Sequence, residues 1–251
     1  MLHHIHLLWA FLLLGLVSCN VDEYNSYEAN SYVLGYRVMT RPVLQVEGNW
    51  ISVHAECQEL IWEYNKKDLF ESQNMTHGDQ NFRHTVTYVL GEGNAGKIFL
   101  YPDFQTIDLL CEEAYDEHHP ANSSIADIVT FCSVSSMSHI LSGYKEKYRP
   151  LDSIGGNSEW LKVFLRKFEM SAEGECEQKV IVCPLSDATA QDLMLLGRDM
   201  HVHRSDNPTA YMPFAVLIVN TPPARPGTYH LRLTLLGTDN NTYTATVAYT
   251  K

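Results

Sequence analysis

The chain has 251 residues, 45% of them apolar and 19% charged, with Gly and Pro scattered and no low-complexity tract; this is an ordinary globular balance, with enough apolar material for a buried core. The formal net charge of −12 repels nucleic acid and favours cationic partners through long-range steering. The acidity is lopsided: residues 20–145 carry 18 acids against 7 bases, and residues 146–251 carry 12 against 11. A solvated acidic face without a partner is the plain alternative.

The first segment, MLHHIHLLWAFLLLGLVSC, has a short polar start, an apolar run from about Leu7 to Val17 and small residues at its end. It predicts a secretory signal peptide over residues 1–19, cleaved after Ser18 or Cys19. The run is too short for a membrane span, which needs about 20 residues. The expected localisation is therefore the secretory pathway, with no direct span. Leu16-Val17-Ser18-Cys19 also fits a bacterial lipobox, but no Lys or Arg precedes it.

From Tyr32 to Tyr64 the alternation predicts strands, with Ile51, Val53 and Ala55 opposing Trp50, Ser52 and His54. KKDLFESQNMTHGDQNF reads as a polar loop. HTVTYVL and KIFLYP flank GEGNAG and read as a hairpin whose glycines supply positive φ. Gly91, Gly96 and Lys97 match the letters of a P-loop. The chemistry fails, because Ile98 stands where a magnesium-binding Ser or Thr is needed and no helix pattern follows. DFQTIDLLCEEAYDEHHP reads as a short helix with Asp103 as cap, Ile107, Leu110 and Cys111 on one face, and Pro120 past its end. IADIVTFCSVSSMSHIL suits helix or strand equally.

Residues 144–158 read as a long loop or domain boundary. EWLKVFLRKFEMS and EQKVIVCPL then read as strands, and SDATAQDLMLLG as a helix capped by Ser186 and ended by Gly197. PFAVLIVN is an apolar strand. GTYHLRLTLLG and TYTATVAYT read as a hairpin with Tyr229, Leu231, Leu233 and Leu235 facing inward. A Pro-Gly corner before that tyrosine is common in β-sandwiches. The fold class is thus mainly β with minor α (α+β): an acidic β-rich domain over residues 20–145, then an antiparallel β-sandwich-like domain over 146–251.

No GxSxG elbow, HExxH helix or CxxC pair occurs, so no catalytic residue, cofactor or metal is expected and the chain reads as a non-enzyme. His201 and His203 would need a third ligand such as Asp199 to hold a metal, and His118 and His119 read as solvated. Asn74, Asn122 and Asn240 head acceptor sequons for N-glycans. Cleavage after Cys19 leaves five disulfide candidates, Cys57, Cys111, Cys132, Cys176 and Cys183, an odd number that implies a free thiol or an interchain bond. The spacing allows Cys176 with Cys183 and Cys111 with Cys132 without deciding connectivity. Fourteen tyrosines, nine phenylalanines and four tryptophans suit a protein-binding surface as well as a β core.

NSEWLKVFLRKF, QDLMLLGRDM, AVLIVN and YHLRLTLLGTDNNTYT occur in the order and at the spacing of one known family. The region 140–251 resembles the largest of the three small accessory subunits of the cytomegalovirus pentameric complex, through which that virus enters host cells. The resemblance implies a virion envelope glycoprotein subunit that is held by glycoproteins H and L beside its sister subunits. It also implies contact with a host cell-surface receptor, influence on tropism, and a chemokine-like N-terminal region. No chemokine-type cysteine pattern is present in residues 20–130. The acidic first half also supports a different role, a free secreted decoy for a basic chemokine or cytokine.

Overall fold

The computed structural model describes residues 24–89, 97–150, 159–168, 174–197 and 210–251; the signal segment, the GEGNAG turn and the His201/His203 pair lie outside them. In chain order the elements are β1 (Tyr24–Ala29), β2 (Gly35–Glu47), β3 (Trp50–Trp62), α1 (Lys67–His77), β4 (His84–Val89), β5 (Ile98–Tyr101), β6 (Phe104–Cys111), β7 (Ser123–Ser124), β8 (Val129–Ser135), α2 (Met137–Leu141), α3 (Glu159–Lys167), β9 (Lys179–Pro184), β10 (Ala210–Val219), β11 (Thr228–Gly237) and β12 (Thr242–Thr250). The fold is mainly β with minor α, as its alternating apolar runs predict.

Six strands form one sheet in the order β5-β2-β3-β10-β8-β9, and four form another, β12-β11-β6-β7. β1 and β4 make a separate ribbon. β2 and β3 are joined by Gly48-Asn49, where Gly48 takes the positive φ (64°) that a two-residue hairpin demands. β10 is apolar because it is central and covered on both faces. Its Pro213, which has no N–H to give the ladder, sits where the register with β3 shifts.

The two sheets stack on one core. Ile51, Val53, Ala55, Phe131 and Leu217 from the six-stranded sheet meet Leu109, Leu231, Leu233 and Leu235 from the other. Each leucine so buried contributes about 1.5–3 kcal/mol. Tyr229 opens β11 and its hydroxyl donates to the Arg225 carbonyl at 2.9 Å, the tyrosine-corner geometry that its sequence context predicts. The outer face of the six-stranded sheet is also covered. Phe164, Leu165 and Phe168 in and just after α3 pack on Cys132, Val134, Val180 and Val216, while Phe70 of α1 joins Tyr36, Ile61 and Phe99.

Several expectations are corrected. Strands from both halves share the six-stranded sheet, with β10 between β3 and β8, so among the described residues no boundary at 145/146 divides the core. HTVTYVL and KIFLYP are not hairpin partners, because β4 pairs with β1 while β5 runs parallel to β2. Residues 104–111 are a strand: Ile107-Asp-Leu-Leu-Cys supports either period, and pairing with β11 selects Ile107, Leu109 and Cys111 as the inward set. The polar stretch after Lys66 is helix α1, closed by Gly78 at φ 71°. EWLKVFLRK is helix α3, its Trp160, Phe164 and Phe168 four residues apart. SDATAQDLMLLG makes two 3-10 turns, Leu185–Asp187 and Gln191–Leu193. Ser186 donates to Asp187 there and does not cap the turn, while Thr189 and Asp192 exchange hydrogen bonds beside the second turn. The ambiguous IADIVTFCSVSSMSHIL is β8 followed by α2.

Candidate functional site

The most connected polar array is buried. Tyr36 of β2 donates its hydroxyl to Asn74 Oδ1 at 2.6 Å and lies 3.0 Å from His77 Nδ1. His77 Nε2 meets Asp103 Oδ2 at 2.5 Å, and Asp103 Oδ1 accepts the Leu195 N–H at 2.8 Å. Tyr, His and Asp in series resemble a proton relay, but their side chains are 1 to 4% exposed. Burial, then Asp103 and Asp79, hold the Tyr36 hydroxyl well above its ordinary pKa. The array is closed off from solvent in this structure, and its bonds fasten α1 and residue 195 to the sheet. Asp79 does related work, accepting the N–H groups of Tyr32 and Val33 at 2.7 Å and the Tyr144 hydroxyl at 2.9 Å.

Lys97, the lysine of the P-loop lettering, is also part of the fold. It donates to Tyr32 Oη at 2.9 Å, pairs with Glu177 and lies 4.2 Å from the centre of the Tyr32 ring.

The open surface is the outer face of the four-stranded sheet. Register sets its grid: Leu110, Arg232 and Thr246 lie abreast, as do Asp108, Thr234 and Thr244, and then Thr106, Leu236 and Thr242. These side chains are half-buried or exposed, and among the described residues no α-helix packs broadly on β6, β11 or β12. A dense row of short β-branched residues on β12 makes this a flat contact surface.

One end of that face is acidic. No Lys or Arg occurs between Lys97 and Lys145, while Asp103, Asp108, Glu112, Glu113, Asp116, Glu117 and Asp127 do. All but the buried Asp103 lie at or near the β6 side of the face. The loop of residues 112–122 is held firmly: the Tyr115 ring is in the core, its hydroxyl donates to the Thr221 carbonyl at 2.7 Å, and the Glu112 N–H donates to the His230 carbonyl at 2.9 Å. Histidines pair with the carboxylates. His119 lies between Asp116 (2.8 Å) and Asp127 (2.9 Å), and His230 Nδ1 meets Glu113 at 2.6 Å. Burial lowers the His119 pKa, but the two carboxylates outweigh it and the net shift is upward. The Glu113 hydrogen bond raises that of His230.

His118 is exposed beside Glu117 as expected, whereas His119 is buried and paired rather than solvated. Among the described residues no three His, Cys, Asp or Glu side chains are grouped to hold a metal. None of the described helices is long and apolar enough to cross a membrane.

The five cysteines among the described residues are unbridged. Cys111 faces the inter-sheet core and Cys132 the opposite side of the six-stranded sheet, under α3; their pairing is excluded unless the sheet is breached. Cys176 donates to the carbonyl of Gln178, and Cys183 lies five residues along β9 from there, roughly 16 Å at strand spacing, too far for a disulfide. Burial pushes the thiols of Cys57 and Cys132 up to about 12. The three sequons also separate: Asn122 and Asn240 are exposed in turns, whereas Asn74 is 5% exposed inside α1.

Comparison with protein-family models, curated proteins and solved structures returns no match to this chain.

Proposed function

We propose that the chain is a secreted, non-enzymatic capture protein that holds a basic signalling protein, of the chemokine or cytokine kind, against the outer face of its four-stranded sheet. The observation that carries this reading is the open, flat Thr-rich face bordered by Asp108, Glu112, Glu113, Asp116, Glu117 and Asp127 with no lysine or arginine in the same segment. Complementary charge of this kind steers a basic partner and sets its orientation. The sheet's short side chains lose little entropy when covered.

A second reading, an envelope subunit associated with glycoproteins H and L, uses the same surface, because the YHLRLTLLGTDNNTYT segment behind that resemblance forms half of the face. The test is binding of the purified secreted chain to a panel of basic chemokines and cytokines at low and physiological salt, alongside co-purification with glycoproteins H and L. Salt-sensitive capture that is lost in Thr246→Arg supports the first reading. Glycoprotein association without chemokine or cytokine capture supports the second. Loss of neither activity in Thr246→Arg removes the face from both.

A further inference from the structure

We propose that the secreted protein carries N-linked glycans at Asn122 and Asn240 and none at Asn74. This rests on passage through the secretory pathway.

Asn74 is a working part of the buried network. Its Oδ1 accepts the Tyr36 hydroxyl at 2.6 Å, and its side chain faces inward from α1 with Phe70 and His77. A sugar on its Nδ2 has no path to solvent. To admit one, α1 must leave the sheet, which exposes Phe70, Tyr36 and Ile61 and strands His77 and Asp103. Each buried polar group so orphaned costs about 1–3 kcal/mol, on top of the lost apolar burial. A chain that acquires a glycan at Asn74 while still unfolded therefore cannot complete this fold, and the folded, exported population lacks it.

Asn122 and Asn240 present the opposite situation. Both are exposed, at φ 60° and 64°, in turns whose own backbone bonds are complete: the Asn122 N–H donates to the Cys111 carbonyl and the Asn240 N–H to the Gly237 carbonyl. Asparagine tolerates this left-handed conformation, and its carboxamide there projects from a loop. The two positions stand at opposite ends of the four-stranded sheet, one beside Cys111 and one beside Phe104, roughly 24 Å apart along β6 at strand spacing. The glycans bracket the open face and leave its middle rows, Arg232 with Thr246 and Thr234 with Thr244, uncovered.

The test is site-resolved mass spectrometry of protein secreted from animal cells, with gel mobility of three variants before and after glycosidase treatment. Asn122→Asp and Asn240→Asp each remove one glycan step. Thr76→Ala destroys the first sequon while sparing Asn74 and leaves mobility unchanged. Glycan at Asn74 in folded, secreted protein overturns the proposal, as does secreted protein bare at Asn122 or Asn240. Retention in the cytosol overturns the secretory reading itself and this assignment with it.

Discussion

His77 at the end of α1 and Asp103 at the start of β6 share a 2.5 Å contact with both side chains out of water. Asp103 also anchors Leu195, so one carboxylate joins three distant chain segments. Asp103→Ala leaves His77 and the Leu195 N–H without their acceptor in an apolar site. Its expected cost is about 1–3 kcal/mol for each buried group so orphaned, read from the midpoint of urea denaturation. Tyr36→Phe removes only the hydroxyl, and its expected loss is about 1–3 kcal/mol.

The His119 pairs make the acidic loop pH-sensitive in a defined direction. A raised histidine contributes stability that is complete below its unfolded value of 6.5 and is lost as pH rises through the higher folded value. Asp116 is lowered: burial raises it, but the His118 and His119 hydrogen bonds outweigh that effect, so its contribution is present above 3.8 and lost as pH falls through the lower folded value. The pair is therefore strongest between 3.8 and 6.5. The stability difference between wild type and His119→Gln should peak in that window and shrink above it. A difference that is flat with pH, measured by denaturation across the range, contradicts the assignment.

Capture of a basic partner should weaken on acidification through the same groups. Protonated His119 and His230 offset two of the three charges on Asp116, Asp127 and Glu113, while Glu112 is already matched by Arg232 at 3.7 Å. Binding measured by calorimetry should be tighter at neutral pH than near pH 5.5. The double variant His119→Asn, His230→Asn should flatten that dependence.

Thiol chemistry should order the cysteines. Cys176 is half-exposed, whereas Cys57 and Cys132 are fully buried, and their high pKa values leave almost no thiolate. Iodoacetamide applied to folded protein should label Cys176 first, with Cys57 and Cys132 reacting only on unfolding.

The β11–β12 hairpin was legible because an inward leucine at every second residue admits only one period, and Tyr229 marks its corner. α1 was not legible, since its inward face is Phe70, Asn74 and His77, and two of those three are polar groups satisfied by Tyr36 and Asp103 far along the chain. β6 was hidden because Ile107-Asp-Leu-Leu-Cys fits a helix until β11 lies beside it. The candidate face was invisible for the same reason. Acids at 108–127 and threonines at 242–250 become one surface only through a pairing that crosses more than a hundred residues.

The insertion of β10 between β3 and β8 has a consequence for synthesis. The facing edges of β3 and β8 stay unpaired until β10, which ends at Val219, has been made, about 4–17 s after Ser135 at 5–20 residues per second. A sheet closed by so distant a strand folds slowly, on the millisecond-to-second scale typical of non-local topologies. Residues 20–145 expressed alone leave the facing edges of β3 and β8 without β10, and such a fragment is expected to aggregate through those open edges.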